Sequence, residues 1–129
     1  MLSYGFSLWL VPQPRFKIDT LHVPHITLAT HFETEPNVQC TKNKRYRVDI
    51  FDGVSKFPSD MYPDSIVQGI GVYCKIQDMD LDHEPHLSLT YDESYDFSNI
   101  KLPEFIYCDM YLADTRSTTP LEWKLLKKY

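Results

Sequence analysis

One seven-residue pattern occurs twice in this chain. His22-Val23-Pro24-His25-Ile26-Thr27-Leu28 and His83-Glu84-Pro85-His86-Leu87-Ser88-Leu89 both read His-x-Pro-His-aliphatic-hydroxyl-Leu, the second copy 61 residues after the first. Four of the five histidines fall inside the two copies. So specific a pattern does not recur by chance in a small domain. Its recurrence implies two related halves, expected to face each other across a cleft.

The segments around the repeat are strand-like. Period-two alternation and β-branched and aromatic residues dominate, predicting strands near 3–11, 23–31, 45–54, 65–77, 85–91, 104–114 and 121–127. Pro12 and Pro14 end the first, because proline brings no amide to a ladder. Turn chemistry recurs at Asp52-Gly53, Phe57 to Asp60, Asp78 to Asp82 and Ser117 to Pro120. Only two short helices are expected, over 14–21 and 95–101. Tyr4 and Phe6 lie on the opposite face of the first strand from Trp9 and read as core. With 129 residues and no linker or low-complexity tract, residues 1–129 read as one domain.

Side chains alternate along a strand, so His25 and Thr27 share one face while Ile26 and Leu28 anchor the other. The second copy repeats this with His86 and Ser88 against Leu87 and Leu89. Each strand thus presents an imidazole and a hydroxyl on one surface. Cleaving a phosphodiester needs a base to activate the attacking oxygen and an acid to protonate the leaving one. Histidine serves as either near neutral pH, its unperturbed pKa being about 6.5. Hydroxyls donate to the non-bridging oxygens, where charge accumulates in the transition state. His25 and His86 are therefore the candidate catalytic pair, and Thr27 and Ser88 the candidate phosphate ligands. This chemistry requires no metal or other cofactor, and no acidic cluster is placed to hold a metal.

Two other classes compete. His22/His25 and His83/His86 are each His-x-x-His, a spacing that could serve a zinc-binding all-β domain, although residues three apart on a strand face opposite sides. A nucleotide-binding module without turnover is the other. Composition narrows the partner. A net charge of −5 disfavours binding to long duplex nucleic acid but permits a small anionic ligand. The one basic cluster, Lys42, Lys44, Arg45 and Arg47, reads as a solvated loop and strand start, with Arg45 or Arg47 a conceivable approach to the phosphate. Cys40, Cys74 and Cys108 are odd in number and form no CxxC pair, which points to a reduced, cytoplasmic setting. No apolar run reaches the roughly 20 residues of a membrane span, and Leu2 to Val11 lacks the features of a signal peptide.

At these residues the chain resembles the 2H phosphoesterase superfamily, which is marked by two His-x-Thr/Ser motifs in two symmetric lobes. Within it the resemblance is to the plant and fungal cyclic phosphodiesterases that open nucleoside 2′,3′-cyclic phosphates and ADP-ribose 1″,2″-cyclic phosphate. Ser7-Leu8-Trp9-Leu10-Val11-Pro12 is similar to that family's first strand, and Pro85 through Tyr91 to its second motif. Leu112-Ala113-Asp114-Thr115 through Leu121-Glu122-Trp123-Lys124 is similar to its last hairpin. The resemblance implies a two-lobed, pseudo-twofold α+β fold, mostly antiparallel and with reduced helix content, since the segments before both motifs are short. It implies that Trp9 and Tyr91 contact the substrate. Compact 2H enzymes also cleave 2′–5′ oligoadenylates or cyclic dinucleotides, an alternative that would suit a viral immune-evasion factor. A sheet face left bare by missing helices would be covered by loops or by another subunit, and a homo-oligomer is expected.

Overall fold

The computed structural model describes residues 5–14, 22–36, 44–58, 68–81, 84–90, 101–117 and 120–129, with the backbone alone for 52–58, 68, 69 and 120. Seven strands run in chain order: β1 (Phe6–Pro12), β2 (His25–Phe32), β3 (Tyr46–Pro58), β4 (Gln68–Ile76), β5 (His86–Thr90), β6 (Phe105–Asp114) and β7 (Lys124–Lys128). Each falls on a segment whose alternation predicts a strand. Among the described residues the only helical element is the 3₁₀ turn Pro120–Glu122. Of the two expected short helices, residues 15–21 and 95–100 lie outside the described set. No described helix is long and apolar enough to cross a membrane.

The strands form one antiparallel sheet in the order β1-β2-β5-β4-β3-β6-β7, and β1 also pairs with β6. That last pairing closes six strands into a barrel, with β7 continuing on β6. The two-lobed α+β expectation is therefore wrong. The halves do not face each other across a cleft; they share one ladder. Two half-sheets, each with an apolar face, bury more by joining edges and curling around a common interior than by standing apart. That interior draws Leu10, Ile26 and Val48 from one half and Val72, Leu87 and Ile106 from the other, all six at most 6% exposed.

Closure preserves the duplication in another form. Exchanging β1, β2, β3 for β4, β5, β6 turns the barrel order into its own reverse. The motif strands β2 and β5 are neighbours through His25↔Ser88 and Ile26↔Leu87. Ile26 and Leu87 are also each other's counterparts in the repeat, so a local twofold axis passes through that pair.

Two details seal the seam between β1 and its neighbours. Thr115 donates its hydroxyl to the Gly5 carbonyl at 2.7 Å, so its oxygen accepts from Ser7 (2.7 Å), which in turn accepts from Thr30 (2.8 Å). Each of these three hydroxyls thereby donates its hydrogen. Gly5 has φ +63°, and a Cβ there would strike the Phe32 carbonyl oxygen, so only glycine fits. Elsewhere one expected turn is absent. Asp52-Gly53 lies inside β3, where the register slips between Ile50 and Val54. A strand glycine marks a bulge as readily as a turn.

Candidate active site

The four motif residues occupy two cross-strand rows on the outer face of the barrel. His25 lies opposite Ser88, and continuing that register sets Thr27 opposite His86. Adjacent antiparallel strands hold such partners about 5 Å apart at Cα, and residues two apart on one strand are separated by about 7 Å. Diagonal neighbours, the relation of His25 to His86, have Cβ atoms roughly 7–8 Å apart. The two imidazoles thus stand at diagonal positions of one strand pair.

Both strands are kinked at the same point. On β2 the pairing passes from Trp9↔Thr27 to Leu8↔Ala29, leaving Leu28 as an extra residue. On β5 it passes from Gly71↔Ser88 to Ile70↔Thr90, leaving Leu89 as the extra one. These are the two leucines that end the repeat. Bulges re-aim neighbouring side chains and concentrate beside functional sites. Here one follows each hydroxyl.

The neighbours differ between the halves. His25 is 2% exposed and its ring stacks on Trp9, with centroids 3.7 Å apart and planes 13° from parallel. Its Nδ1 lies 2.9 Å from the Val23 carbonyl, which can only accept. Nδ1 therefore carries the hydrogen, and in the neutral ring Nε2 is left as the acceptor. Burial pulls the His25 pKa down to about 4 from 6.5; the Val23 bond opposes this, and the charges of His86 and His22 reinforce it. Trp123 stands edge-on to both rings, 6.0 Å from Trp9 and 6.4 Å from His25, with its indole N–H donated to the Ser117 carbonyl at 2.7 Å. His86, by contrast, is half-buried, and its partner on β4 is the exposed Tyr73. Ser88 is 4% exposed and faces Gly71, where a Cβ would run into the Leu87 carbonyl oxygen.

The structure thus brings His25, Thr27, His86 and Ser88 together and adds Trp9 to them, stacked on an imidazole. Tyr91 and His83 lie outside the described residues. His22 bonds Thr90 at the end of β5 (2.9 Å), and His31 is exposed with φ 67°. Arg45 and Arg47 do not approach the site. They stand on β3 and the residues leading into it, over the rings of Tyr107 (5.0 Å) and Phe105 (4.1 Å), and Arg47 also pairs with Asp49. In the closed barrel the β3–β6 pair is the wall opposite β2–β5. Among the described residues no group of three or more His, Cys, Asp or Glu could hold a metal. Sequence reasoning assigned no role to Tyr73 or Trp123. The alternation of buried Val72 and Cys74 marks Tyr73 as outward, but only the register shows which histidine it meets.

No protein-family model matches the chain, and neither the curated proteins nor the solved structures contain a match.

Proposed function

We propose that the chain is a metal-independent phosphodiesterase that opens a small cyclic phosphate, either a nucleoside 2′,3′-cyclic phosphate or ADP-ribose 1″,2″-cyclic phosphate. The observation that supports this reading is the local twofold through Ile26 and Leu87, which puts the two His-x-Thr/Ser motifs side by side on neighbouring strands. The unequal surroundings favour a division of labour. His25, neutral with Nε2 as its acceptor, takes a proton from water, and the water oxygen bonds to phosphorus. The bond from phosphorus to the ribose oxygen breaks, and His86 donates a proton to that oxygen. Thr27 and Ser88 hold the non-bridging oxygens. Solvent returns both histidines to their starting forms. Cys74 and Cys108 are free and buried, and burial pushes both thiols up to about 12; such inert thiols suit a cytoplasmic protein.

The test is a substrate panel in the presence of EDTA: 2′,3′-cyclic nucleotides, ADP-ribose 1″,2″-cyclic phosphate, 2′–5′ oligoadenylate and cyclic dinucleotides. Turnover of a cyclic phosphate that is lost in His25→Ala and His86→Ala supports the proposal, and full activity in either variant rejects it. The burial of His25 favours a second reading, a nucleotide-binding barrel without turnover. Binding of the same panel with no product formed would select it.

A further inference from the structure

The twofold relates backbone positions whose side chains are not alike. Trp9 pairs with Thr27 on the first side, and Gly71 pairs with Ser88 on the second. Continuing the β1–β2 register beyond Leu10↔Ile26 sets Val11 beside His25, whereas Tyr73 pairs with His86. The result is two parallel rows across the same four strands. One reads Val11, His25, Ser88, Gly71 and carries no large aromatic flank. The other reads Trp9, Thr27, His86, Tyr73 and has an aromatic ring at each end.

On β2, β5 and β4, though not on β1, exposure follows the rows. His25, Ser88 and Gly71 are buried, whereas Thr27 and His86 are half-buried and Tyr73 is 43% exposed. A ligand whose phosphate sits among the four polar groups therefore meets solvent on the Thr27–His86 side, at the β4 end. Trp9 cannot offer its ring there, being 3% exposed with one face against His25. Among the described residues the exposed aromatic side chain paired with the half-buried histidine is Tyr73.

We infer that Tyr73 is the specificity residue of this site, stacking on the nucleobase of a nucleoside cyclic phosphate while the phosphate lies between His25 and His86. This rests on the phosphodiesterase reading above and narrows its substrate class to molecules that carry a base within one ribose of the reacting phosphorus. Stacking demands a flat aromatic face and no particular hydrogen-bonding edge, so the site accepts more than one base. Tyr73 touches no reacting atom, and its loss acts on binding and not on proton transfer.

The experiment compares a nucleoside 2′,3′-cyclic phosphate with methyl β-D-ribofuranoside 2,3-cyclic phosphate, which is identical at the reacting centre and lacks a base. Tyr73→Ala is expected to raise KM for the nucleoside substrate ~10-fold or more with kcat little changed. It should leave the methyl riboside untouched, and Tyr73→Phe should behave as wild type on both. An unchanged KM for the nucleoside, or an equal rise for both compounds, overturns the inference while leaving the phosphodiesterase reading standing. A wild-type protein inert towards both compounds overturns this inference, and one inert towards ADP-ribose 1″,2″-cyclic phosphate as well overturns the phosphodiesterase reading with it.

Discussion

Thr27 and Ser88 sit at equivalent points of the repeat, each followed by a bulged leucine, yet Trp9 fills the space beside one and Gly71 leaves it bare beside the other. The histidines differ in the same way. His25 is buried, stacked on Trp9 and edge-on to Trp123, with a depressed pKa, and His86 is half-buried next to an exposed tyrosine. The repeated residues therefore reproduce strand, bulge and polar pair, while the flanking strands β1 and β4 decide what each histidine can do. Equivalent backbone positions thus carry two different environments, the difference that the proposed division of labour uses.

Removing the histidines tests both sides of this comparison. His25→Ala and His86→Ala should each lower kcat/KM by about 10²–10⁴-fold, the usual contribution of a proton-transfer group. Their effects on stability should part. His25→Ala empties a buried site and leaves the Val23 carbonyl without its donor, a loss of about 2–4 kcal/mol. His86→Ala, half-exposed, should cost less than about 1 kcal/mol. Equal shifts of the urea midpoint in the two variants would break the comparison.

The next largest effect is a pH dependence of stability. The folded pKa of His25 is depressed, so between 6.5 and about 4 the unfolded chain binds a proton that the folded chain refuses. Stability is accordingly full above 6.5 and falls as pH drops through that window, by about 3 kcal/mol at most. Urea unfolding at pH 7.5 and 4.5 should show this loss in the wild type. It should be smaller by that amount in His25→Gln, which cannot titrate. The acid limb of kcat/KM, if His25 is the base, should fall near pH 4, not near 6.5. A limb well above pH 4 would mean that His25 is not the base.

How much of this was written in the sequence depends on the range of the signal. Alternation is local, and it located all seven strands, β3 running four residues past its expected end at Val54. The repeat was legible too, because its types and spacing survive in one dimension. The closure was not. It depends on β1 finding β6, more than ninety residues away in sequence, and no local pattern distinguishes an edge that pairs from one that stays open. The same limit hid Tyr73 and Trp123, since a side chain's cross-strand neighbour is set by register. It also gave no ground for choosing between a solvated strand start and a phosphate approach for Arg45 and Arg47, whose place on the far wall favours the first.

Gly71→Ala probes the side of the pair that lacks a side chain. A methyl group there meets the Leu87 carbonyl oxygen, a backbone atom that cannot swing away. The β4–β5 ladder must shift, at a cost of about 1–3 kcal/mol, and Ser88 must move with it. Activity should fall more than the loss of stability explains at temperatures where the variant is folded. A fully active Gly71→Ala protein would show that the bare side of the site is not needed for positioning.

The smallest effect is expected on the opposite wall, and it makes the comparison one of place and not only of residue type. Arg47 is partly exposed, pairs with Asp49 at 3.2 Å and covers Phe105. An exposed ion pair of this kind contributes about 0–1 kcal/mol, and the guanidinium over a ring adds about 0.5–1 kcal/mol at such a site. Arg47→Ala should therefore lower stability by no more than about 2 kcal/mol, and Arg45→Ala, which loses only its ring contact, by no more than about 1 kcal/mol. On the cyclic phosphate they should change kcat/KM less than about threefold, because screening by salt quenches exposed charges beyond about 10 Å. A tenfold loss of activity in either variant, with the urea midpoint unmoved, would mean that the phosphate is bound on the β3–β6 wall. The histidine rows would then be a structural seam of the barrel and not its reacting centre.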